Sequence, residues 1–286
     1  MIHEIAPHIL KNEFKVADPK PTDFVIRYDG AKTLLKKVGD GYAIPRVGEL
    51  LALEGKTLAD FEGHYLFCID DTAFFLDDST ATKSADAAAT PAGYEFMGNR
   101  TFRTMNPVER MGGATAVHIA HWESLNKFCG KCGNVTIRGD HERSIVCPKC
   151  GNVVYPRISP VVIVAVRNGD KLLMAHNIDN PNPRLFLISG FVEVGESLEQ
   201  AVHREVMEEA GLRVKNIRYF GSQPGPFSDS LIAGFTAELD GDDAIRMQQE
   251  ELSEAMWVKR EDIPEYETDV SISCCLIENF RRGFTL

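Results

Sequence analysis

The second half of the chain contains two short apolar runs, each of the length expected for a buried strand. The runs are residues 161–166 (VVIVAV) and 171–174 (KLLM). Between them, Asn168-Gly169-Asp170 is typical of a tight hairpin turn. A polar loop over 177–183 then leads into residues 185–189. We therefore predict paired, buried strands at the start of a C-terminal domain.

Further along the chain, a helical period replaces the strand pattern. Leu198, Val202 and Val206 recur every four residues, and this spacing places them on one side of a helix. The pattern continues as far as Ala210. We predict a helix over Leu198–Ala210 with one apolar face turned toward a core.

Both ends of this helix carry local signals. Ser197 and Gln200 have the S-x-x-Q spacing of a capping box at the start. Gly211 follows the last turn, where glycine accepts the left-handed backbone that ends many helices. The segment before the helix contains Gly190 and Gly195, and we predict that it is a loop.

The N-terminal part of the chain contains short apolar runs that are typical of strands. These runs are residues 24–28, 42–45, 65–69 and 73–76. Only Asp70-Asp71-Thr72 separates the last two runs, which favours a hairpin. The apolar spacing over 114–128 fits a helix, and the Ser-, Thr- and Ala-rich residues 79–93 predict an exposed loop.

Length and pattern together predict three domains. A chain of 286 residues is long enough for more than one hydrophobic core. We predict a smaller α+β domain over residues 1–125, a cysteine-bearing module over 126–155 and a larger domain over 156–286.

Composition and charge narrow the class of protein. Hydrophobic residues make up 44% of the chain and charged residues 26%, which is ordinary for a soluble domain. The formal net charge of −11 argues against a protein whose main task is to bind nucleic acid. No apolar run reaches the length of a membrane span, and no signal peptide or lipidation pattern is visible. We expect a cytoplasmic protein without a membrane partner.

Four of the seven cysteines form two C-x-x-C pairs. These are Cys129, Cys132, Cys147 and Cys150, and a glycine follows each pair. Four thiolates complete a tetrahedral zinc site and leave no open position for chemistry, so we predict structural zinc. A redox pair and a ribbon that reads nucleic acid are the alternatives.

The other three cysteines lie in apolar surroundings. Cys68 belongs to a predicted strand, and Cys274 and Cys275 belong to the segment SISCCLIENF. We predict that Cys68 is a buried strand residue and that the adjacent pair occupies core positions of a helix.

The end of the predicted helix carries an unfavourable cluster of charge. Glu205, Glu208 and Glu209 stand at i, i+3 and i+4, a spacing at which like charges destabilise a helix by roughly 0.2–0.5 kcal/mol per pair. The helix macrodipole also disfavours anions at this end. A divalent cation would reverse both effects, and Mg²⁺ or Mn²⁺ bound by carboxylates commonly holds substrate phosphates. The alternative is a solvated acidic face.

The surrounding residues resemble a known motif. Gly190, Glu196 and then Arg204-Glu205-Val206-x-Glu208-Glu209-x-Gly211-Leu212 match the Nudix box at each defined position. The chain is thus identified as a member of the Nudix hydrolase superfamily. The resemblance implies an α/β/α sandwich with a mixed sheet. It also implies that the three glutamates are catalytic groups and metal ligands, braced by a Glu196–Arg204 pair.

The neighbouring segments make the resemblance more specific. A four-cysteine ribbon before the box, and SQPGPFSDS at residues 222–230 after it, resemble the NAD(H) pyrophosphatase family. In that family the second segment reads S-Q-P-W-P-F-P-x-S, so Gly225 stands where Trp is usual and Ser228 where Pro is usual. The missing indole removes a stacking surface worth on the order of 1 kcal/mol beyond its buried area.

The resemblance also implies further site residues. Ser189, through its carbonyl, and Glu251 would add to the metal ligands, and Glu250 is the neighbouring alternative to Glu251. The implied substrate contacts are Tyr155, Phe191, Gln223, Pro224, Gly225, Pro226, Phe227, Ser228, Asp229, Ser230, Ser273 and Arg100. Core packing is the alternative for Tyr155 and Phe191, and a solvated surface position is the alternative for Arg100.

The implied activity is metal-dependent hydrolysis of NAD(H) to nicotinamide mononucleotide and AMP, by a homodimer. Removal of NAD caps from RNA 5′ ends cuts the same bond and stays open. Hydrolysis of another nucleoside diphosphate derivative, such as ADP-ribose, also stays open. A non-catalytic nucleotide sensor is the alternative from a different class of function.

Overall fold

The computed structural model describes residues 1–79, 90–178, 183–266 and 271–283, in two compact units. The N-terminal unit comprises Glu4–Arg157 and Pro226–Asp229, and the C-terminal unit comprises Met1–His3, Ile158–Gly225 and Ser230–Leu286. The predicted loops at 79–93 and 177–183 lie largely outside the described residues. None of the helices in the described ranges has the length and apolar character needed to cross a membrane.

The N-terminal unit contains helices, a four-stranded sheet and two three-stranded sheets in its described residues. Its elements are β1 (Leu10–Lys11), β2 (Phe24–Ile26), β3 (Lys32–Val38), β4 (Gly41–Ala43), α1 (Val47–Leu53), β5 (Gly63–Ile69), β6 (Thr72–Asp77), β7 (Tyr94–Gly98), α2 (Pro107–Leu125), β8 (Ile137–Arg138), β9 (Ile145–Val146) and β10 (Val153–Val154). The sheets run in the orders β1-β5-β6-β2, β4-β3-β7 and β10-β9-β8. The last of these sheets contains the cysteine module.

The predicted hairpin in this unit is confirmed. Strands β5 and β6 pair antiparallel with Ile69 opposite Thr72, and Asp70 takes the left-handed backbone that the turn requires. Cys68 is buried within β5, as predicted. Strands β2 and β4 correspond to the predicted runs at 24–28 and 42–45.

The predicted limits of helix α2 are wrong at both ends. The helix begins at Pro107, where the Asn106 side chain accepts a hydrogen bond from the Glu109 N–H, and it ends at Leu125 rather than 128. Gly112 and Gly113 interrupt the apolar pattern, so the sequence pattern did not indicate the first turns of the helix. These glycines are needed because a Cβ atom there would lie 2.1 and 2.2 Å from the rings of Phe74 and Phe102.

A charged cluster joins the cysteine module to the rest of the N-terminal unit. Arg138 on β8 makes a bidentate contact with Asp78 and also bonds Glu123 on α2. His64 on β5 contacts the same two carboxylates, at 3.3 and 3.0 Å. Burial opposes the charge on His64, but the hydrogen bonds to Asp78 and Glu123 outweigh it and raise the pKa of the imidazole.

The C-terminal unit is built on a six-stranded mixed sheet. Its elements are β11 (Ser159–Asn168), β12 (Lys171–Asn177), β13 (Ile188–Phe191), α3 (Leu198–Ala210), β14 (Val214–Gly225), β15 (Ser230–Leu239), β16 (Leu252–Lys259) and α4 (Ile272–Arg281). The order is β14-β15-β11-β12-β16, with β13 also paired to β11. β11 and β15 run parallel and the other pairs are antiparallel.

A helix packs on each face of this sheet. Val162, Val164 and Val166 of β11 belong to one core cluster with the apolar face of α3. Ile163 and Ala165 point the other way and share a second cluster with α4. Because both faces are covered, the strand is apolar throughout, which explains the continuous run at 161–166. The predicted α/β/α sandwich and the α+β class are thus confirmed.

Helix α3 matches its prediction in limits and caps. It spans Leu198–Ala210, and the Ser197 and Gln200 side chains form the capping box. Gly211 takes a left-handed backbone with φ of 67°. Cys274 and Cys275 lie in helix α4 as predicted, but both are only half-buried, so their assignment to the core is wrong in degree.

The raised pKa of His64 predicts a pH-dependent stability. A proton bound more tightly in the folded state stabilises the fold below the ordinary imidazole pKa of about 6.5, and this contribution is lost as the pH rises through the raised value. We expect His64→Gln to reduce the loss of thermal stability between about pH 6 and about pH 9, as measured by thermal melts. His141→Gln, an exposed histidine in the same unit, should leave the wild-type pH dependence intact.

Candidate active site

The four cysteines converge in the N-terminal unit. The Cys129 and Cys150 sulfurs are 3.6 Å apart, the Cys132 and Cys147 sulfurs are 3.5 Å apart, and all four lie within 4.8 Å of one another. A tetrahedral zinc ion with Zn–S bonds of about 2.3 Å separates its sulfurs by about 3.8 Å. The dimensions and the donor type therefore fit structural zinc.

Two equivalent turns present these thiolates. Gly133 and Gly151 take left-handed backbones, and their N–H groups donate to the carbonyls of Cys129 and Cys147. The backbone N–H groups that follow Cys147 point at its sulfur. Burial works against ionisation of this thiol, but those donors outweigh it and lower its pKa to about 6. The N–H groups of this turn thus favour the thiolate form of Cys147, which binds metal. At Cys132 the Asn134 N–H lowers the pKa, but hydrogen bonds with the Cys147 and Cys150 sulfurs outweigh it and raise the pKa to about 12.

The start of the Nudix-like segment is a strand rather than the predicted loop. Gly190 lies in β13, opposite Val162 of β11, and only Gly195 lies in a turn, with φ of 97°. A Cβ atom at position 190 would lie 2.0 Å from the Glu205 carboxyl carbon. The glycine therefore lets helix α3 place the Glu205 carboxylate directly against the strand.

Arg204 binds the loop and the acidic face of α3 together. Its guanidinium donates to both oxygens of Glu196, at 2.7 and 2.9 Å, and to the Phe191 carbonyl. The predicted Glu196–Arg204 pair is confirmed, and this hydrogen bonding lowers the pKa of Glu196 to about 2. The same guanidinium lies between Glu205 and Glu208, at 2.7 and 3.0 Å.

Glu209 lies behind the other carboxylates. Its side chain is buried and accepts a hydrogen bond from the Ser189 N–H. Burial, followed by repulsion from Glu205, Glu251 and Glu208, raises its pKa to about 8. Burial also raises the pKa of Glu205, although Arg204 opposes this shift.

The segment before β16 brings a fourth carboxylate to the same place. The N–H groups of Arg246 and Gln248 donate to the carbonyls of Ala210 and Glu209, which have no partner within helix α3. A Cβ atom at Gly211 would lie 2.7 Å from the Arg246 side chain, so this glycine also permits the close approach. The chain then turns back, and Glu251 faces the acidic end of α3.

A cavity of 710 Å³ collects these groups. Its lining residues are Ser189, Gly190, Phe191, Arg204, Glu205, Glu208, Gln248 and Glu251. Glu251 rather than Glu250 lines the cavity, a choice that the sequence left open. The sequence did not predict Gln248, because nothing in QQEEL separates a site amide from a surface one. Among the described residues, only the cysteines bring three or more metal-type donors within 4.8 Å.

Several implied substrate residues lie elsewhere in the C-terminal unit. Gln223, Pro224 and Gly225 form the end of β14, and Ser230 begins β15. A Cβ atom at Gly225 would lie 2.2 Å from the Ser230 hydroxyl, so Ser230 occupies the space beside this residue. The buried hydroxyl of Ser273 on α4 has no hydrogen-bond partner in the described part of the chain.

The remaining implied residues belong to the N-terminal unit. Tyr155 is exposed and donates its hydroxyl proton to Glu142, and Arg100 is exposed in a short 3-10 helix. Pro226, Phe227, Ser228 and Asp229 connect β14 to β15 but cluster with this unit.

Comparison with known proteins agrees with this geometry. Residues 157–275 match the NUDIX domain family, and residues 124–155 match the NADH pyrophosphatase zinc ribbon domain. A Mannheimia succiniciproducens protein named NAD-capped RNA hydrolase NudC is 39% identical over 191 residues, which cover 64% of this chain and 68% of that protein. The chain belongs to the zinc-ribbon branch of the Nudix hydrolase superfamily.

Other relatives of this Nudix chain are matched over a shorter stretch. A Salmonella schwarzengrund protein of the same name is 42% identical over 163 residues, which cover 57% of this chain and 63% of that protein. This match therefore covers less than two thirds of the relative. A solved Nudix hydrolase structure from Nitrosomonas europaea aligns with 55% of this chain and 92% of its own, at 26% identity and a TM-score of 0.48.

The cysteine geometry predicts a single thiolate-bound zinc ion in each chain. We expect Cys147→Ser to lose the zinc, because a neutral hydroxyl replaces a thiolate, and metal analysis of the purified protein measures this loss. The matched control is Cys274→Ser, since Cys274 is half-buried and lies outside the cluster. Zinc retained by the Cys147 variant, or lost by the Cys274 variant, would contradict the assignment.

Proposed function

We propose that this Nudix protein is a divalent-cation-dependent hydrolase that cleaves the pyrophosphate bond of NAD(H) to nicotinamide mononucleotide and AMP. The observation that carries the proposal is the set of carboxylates gathered from α3 and from the segment before β16 around one cavity. Carboxylate oxygens are the ligands that Mg²⁺ and Mn²⁺ prefer. The relatives named NAD-capped RNA hydrolase support a substrate that contains this linkage.

In this proposal, different residues around the cavity bind the cation and accept the proton of the attacking water. Glu205, Glu208, Glu251 and the Ser189 carbonyl would hold the cation, in place of part of the contact that Glu205 and Glu208 make with Arg204. Glu209 is buried behind them and is our candidate for the group that takes the proton of the attacking water. When bound, Mg²⁺ or Mn²⁺ would neutralise charge on the phosphate oxygens and lower the pKa of the water.

Phe191 and the Ser273 hydroxyl are proposed to contact the substrate. Phe191 is half-exposed at the cavity and offers an aromatic face to a nucleobase or nicotinamide ring. The Ser273 hydroxyl would gain a polar partner from the substrate. Tyr155, Arg100 and residues 222–230 are proposed as further contacts on the basis of the family resemblance.

NAD-capped RNA is the second candidate substrate. The names of the relatives favour it, whereas the net charge of −11 favours the free dinucleotide. Hydrolysis rates with Mg²⁺ or Mn²⁺ should be compared for NADH, NAD⁺, NAD-capped RNA, ADP-ribose, FAD and diadenosine polyphosphates. No cation-dependent hydrolysis of any of these compounds would favour the nucleotide sensor.

The same resemblance leads us to propose a homodimer that works in the cytoplasm. Light scattering of the purified chain measures its mass in solution. A mass of one chain, 31.8 kDa, at assay concentration would contradict the dimer.

Glu209→Gln should abolish turnover and preserve the fold. The amide matches the shape of the carboxyl group but cannot accept the proton of the attacking water. The expected loss is about 100-fold or more in kcat, measured with NADH at saturating Mn²⁺. Turnover within a few-fold of the wild type would refute the role assigned to Glu209.

The same variant has a second expected property. Because the pKa of Glu209 is raised to about 8 from 4.5, the folded state binds more protons than the unfolded state between these values, and stability falls as the pH rises. Glutamine has no charge to bury. We therefore expect Glu209→Gln to be at least as stable as the wild type near the upper of these two pH values without added cation. Thermal melts would show this directly.

Gly190→Ala should weaken cation binding. The added methyl group would overlap the Glu205 carboxylate and push it away from the strand. Displacing a metal ligand through its neighbours typically reduces affinity on the order of 10–100-fold, which calorimetric Mn²⁺ titration can measure. Gly221→Ala is the matched control, since this β14 glycine has open space around its Cβ position. Equal affinities in the two variants would argue against Glu205 as a ligand.

A further inference from the structure

Two histidines of helix α2 hold a single carboxylate in the N-terminal unit. His118 and His121 are three residues apart and therefore lie on one side of the helix. The Nδ1 atom of His121 is 2.9 Å from one oxygen of Asp229, and the Nε2 atom of His118 is 3.5 Å from the other. The Asp229 side chain is 11% exposed, so most of its surroundings are protein.

The partners determine where each imidazole carries its proton. His118 Nε2 is also 2.8 Å from the Arg157 carbonyl oxygen, which can only accept, so Nε2 is a donor. His121 Nδ1 faces a carboxylate oxygen, which also accepts, so Nδ1 is a donor there. Asp229 thus receives a direct hydrogen bond from His121 and a longer contact with the N–H of His118.

A metal site is not the better explanation of this cluster. Two imidazoles and one carboxylate are a donor set that transition metals accept. However, the donor nitrogen of His118 points its hydrogen at a carbonyl. Within the described ranges, the cysteines alone bring three or more such donor atoms within 4.8 Å.

The backbone of Asp229, the residue that both histidines contact, is unusual. It takes a left-handed conformation, with φ of 49°, that most residues with a side chain avoid. Asp is among the residues that tolerate it. The residue ends the short connection between β14 and β15, and Gly225 pairs with Ser230 on either side of that connection. The conformation of Asp229 therefore sets the course of residues 226–229.

A second contact holds the middle of the same connection. Phe227 packs against the apolar core of the N-terminal unit, and the guanidinium of Arg103 lies 5.2 Å from the centre of its ring. Phe227 and Asp229 are thus both anchored to residues far away in sequence. Ser228, between them, is exposed.

We propose that His118 and His121 are positioning residues, which hold residues 226–229 in one conformation through Asp229 so that this segment can contact the substrate. The inference rests on the proposed function for the identity of the substrate. The histidines act through Asp229 and do not touch the reacting groups. They should therefore affect substrate affinity more than the chemical step.

The test compares two double variants. One removes the two imidazole hydrogen-bond donors, and the other retains an N–H donor at each position. His118→Leu with His121→Leu keeps much of the volume but leaves the carboxylate without imidazole donors. His118→Gln with His121→Asn restores an N–H near the Nε2 and Nδ1 positions. We expect the leucine pair to raise KM for NADH about tenfold with kcat within about twofold, because bonds to a charged group are lost. The Gln/Asn pair should recover most of the affinity.

Two further variants control for folding and for loss of histidine. Asp229→Gly leaves helix α2 unchanged and accepts the left-handed backbone, but it removes the carboxylate, so it should raise KM as the leucine pair does. His141→Leu replaces an exposed histidine of the same unit and should leave KM unchanged. An unchanged KM in Asp229→Gly, or no rescue by the Gln/Asn pair, would overturn the proposal.

Hydrogen exchange separates this proposal from the proposed function. Amides at residues 227–229 should exchange faster in the leucine pair and in Asp229→Gly than in the wild type, whatever the substrate is. Unchanged exchange there would overturn the positioning role even if NADH is hydrolysed. Failure of the wild type to hydrolyse any dinucleotide would refute the proposed function. The exchange rates would then still show whether the two histidines fix residues 226–229 through Asp229.

Discussion

The concentration of negative charge at the C-terminal end of helix α3 is the constraint on which the C-terminal unit depends. Glu205 and Glu209 are buried there, and burial raises the pKa of both. The surrounding groups offset this charge: Arg204 contacts Glu205, the Ser189 N–H contacts Glu209, and backbone N–H groups before β16 bind the last helix carbonyls. Distant segments of the chain thus serve one electrostatic requirement.

Close backbone approach is the second consequence of the same constraint. The carboxylate of Glu205 can lie against β13 only because position 190 has no side chain, and the segment at Arg246 can reach the helix end only because position 211 has none. A left-handed backbone alone would explain Gly211. The contact with Arg246 shows that the glycine also gives access to the carbonyls, and through them places Gln248 and Glu251 at the cavity.

In the N-terminal unit, carboxylates paired with Arg and His side chains hold segments that are distant in sequence. Arg138 and His64 tie the zinc-binding module to the sheet and to helix α2 by sharing two carboxylates. The same helix holds Asp229 with two imidazoles. Charged side chains therefore hold the irregular segments of this unit in place. The strands β8, β9 and β10 have two residues each and are too short to do so alone.

Local patterns in the sequence determined helix α3 with its caps, the strands at 161–166 and 171–174, the hairpin of β5 and β6, and the paired cysteines. Each of these depends on residues that are neighbours along the chain. Contacts between distant segments decided the rest: Gly190 belongs to a strand because it pairs with β11, and Glu251 rather than Glu250 faces the cavity. His121 meets Asp229 across 108 residues. The periodicity of the sequence cannot predict such a contact, because the contact forms only when the sheets and helices pack together.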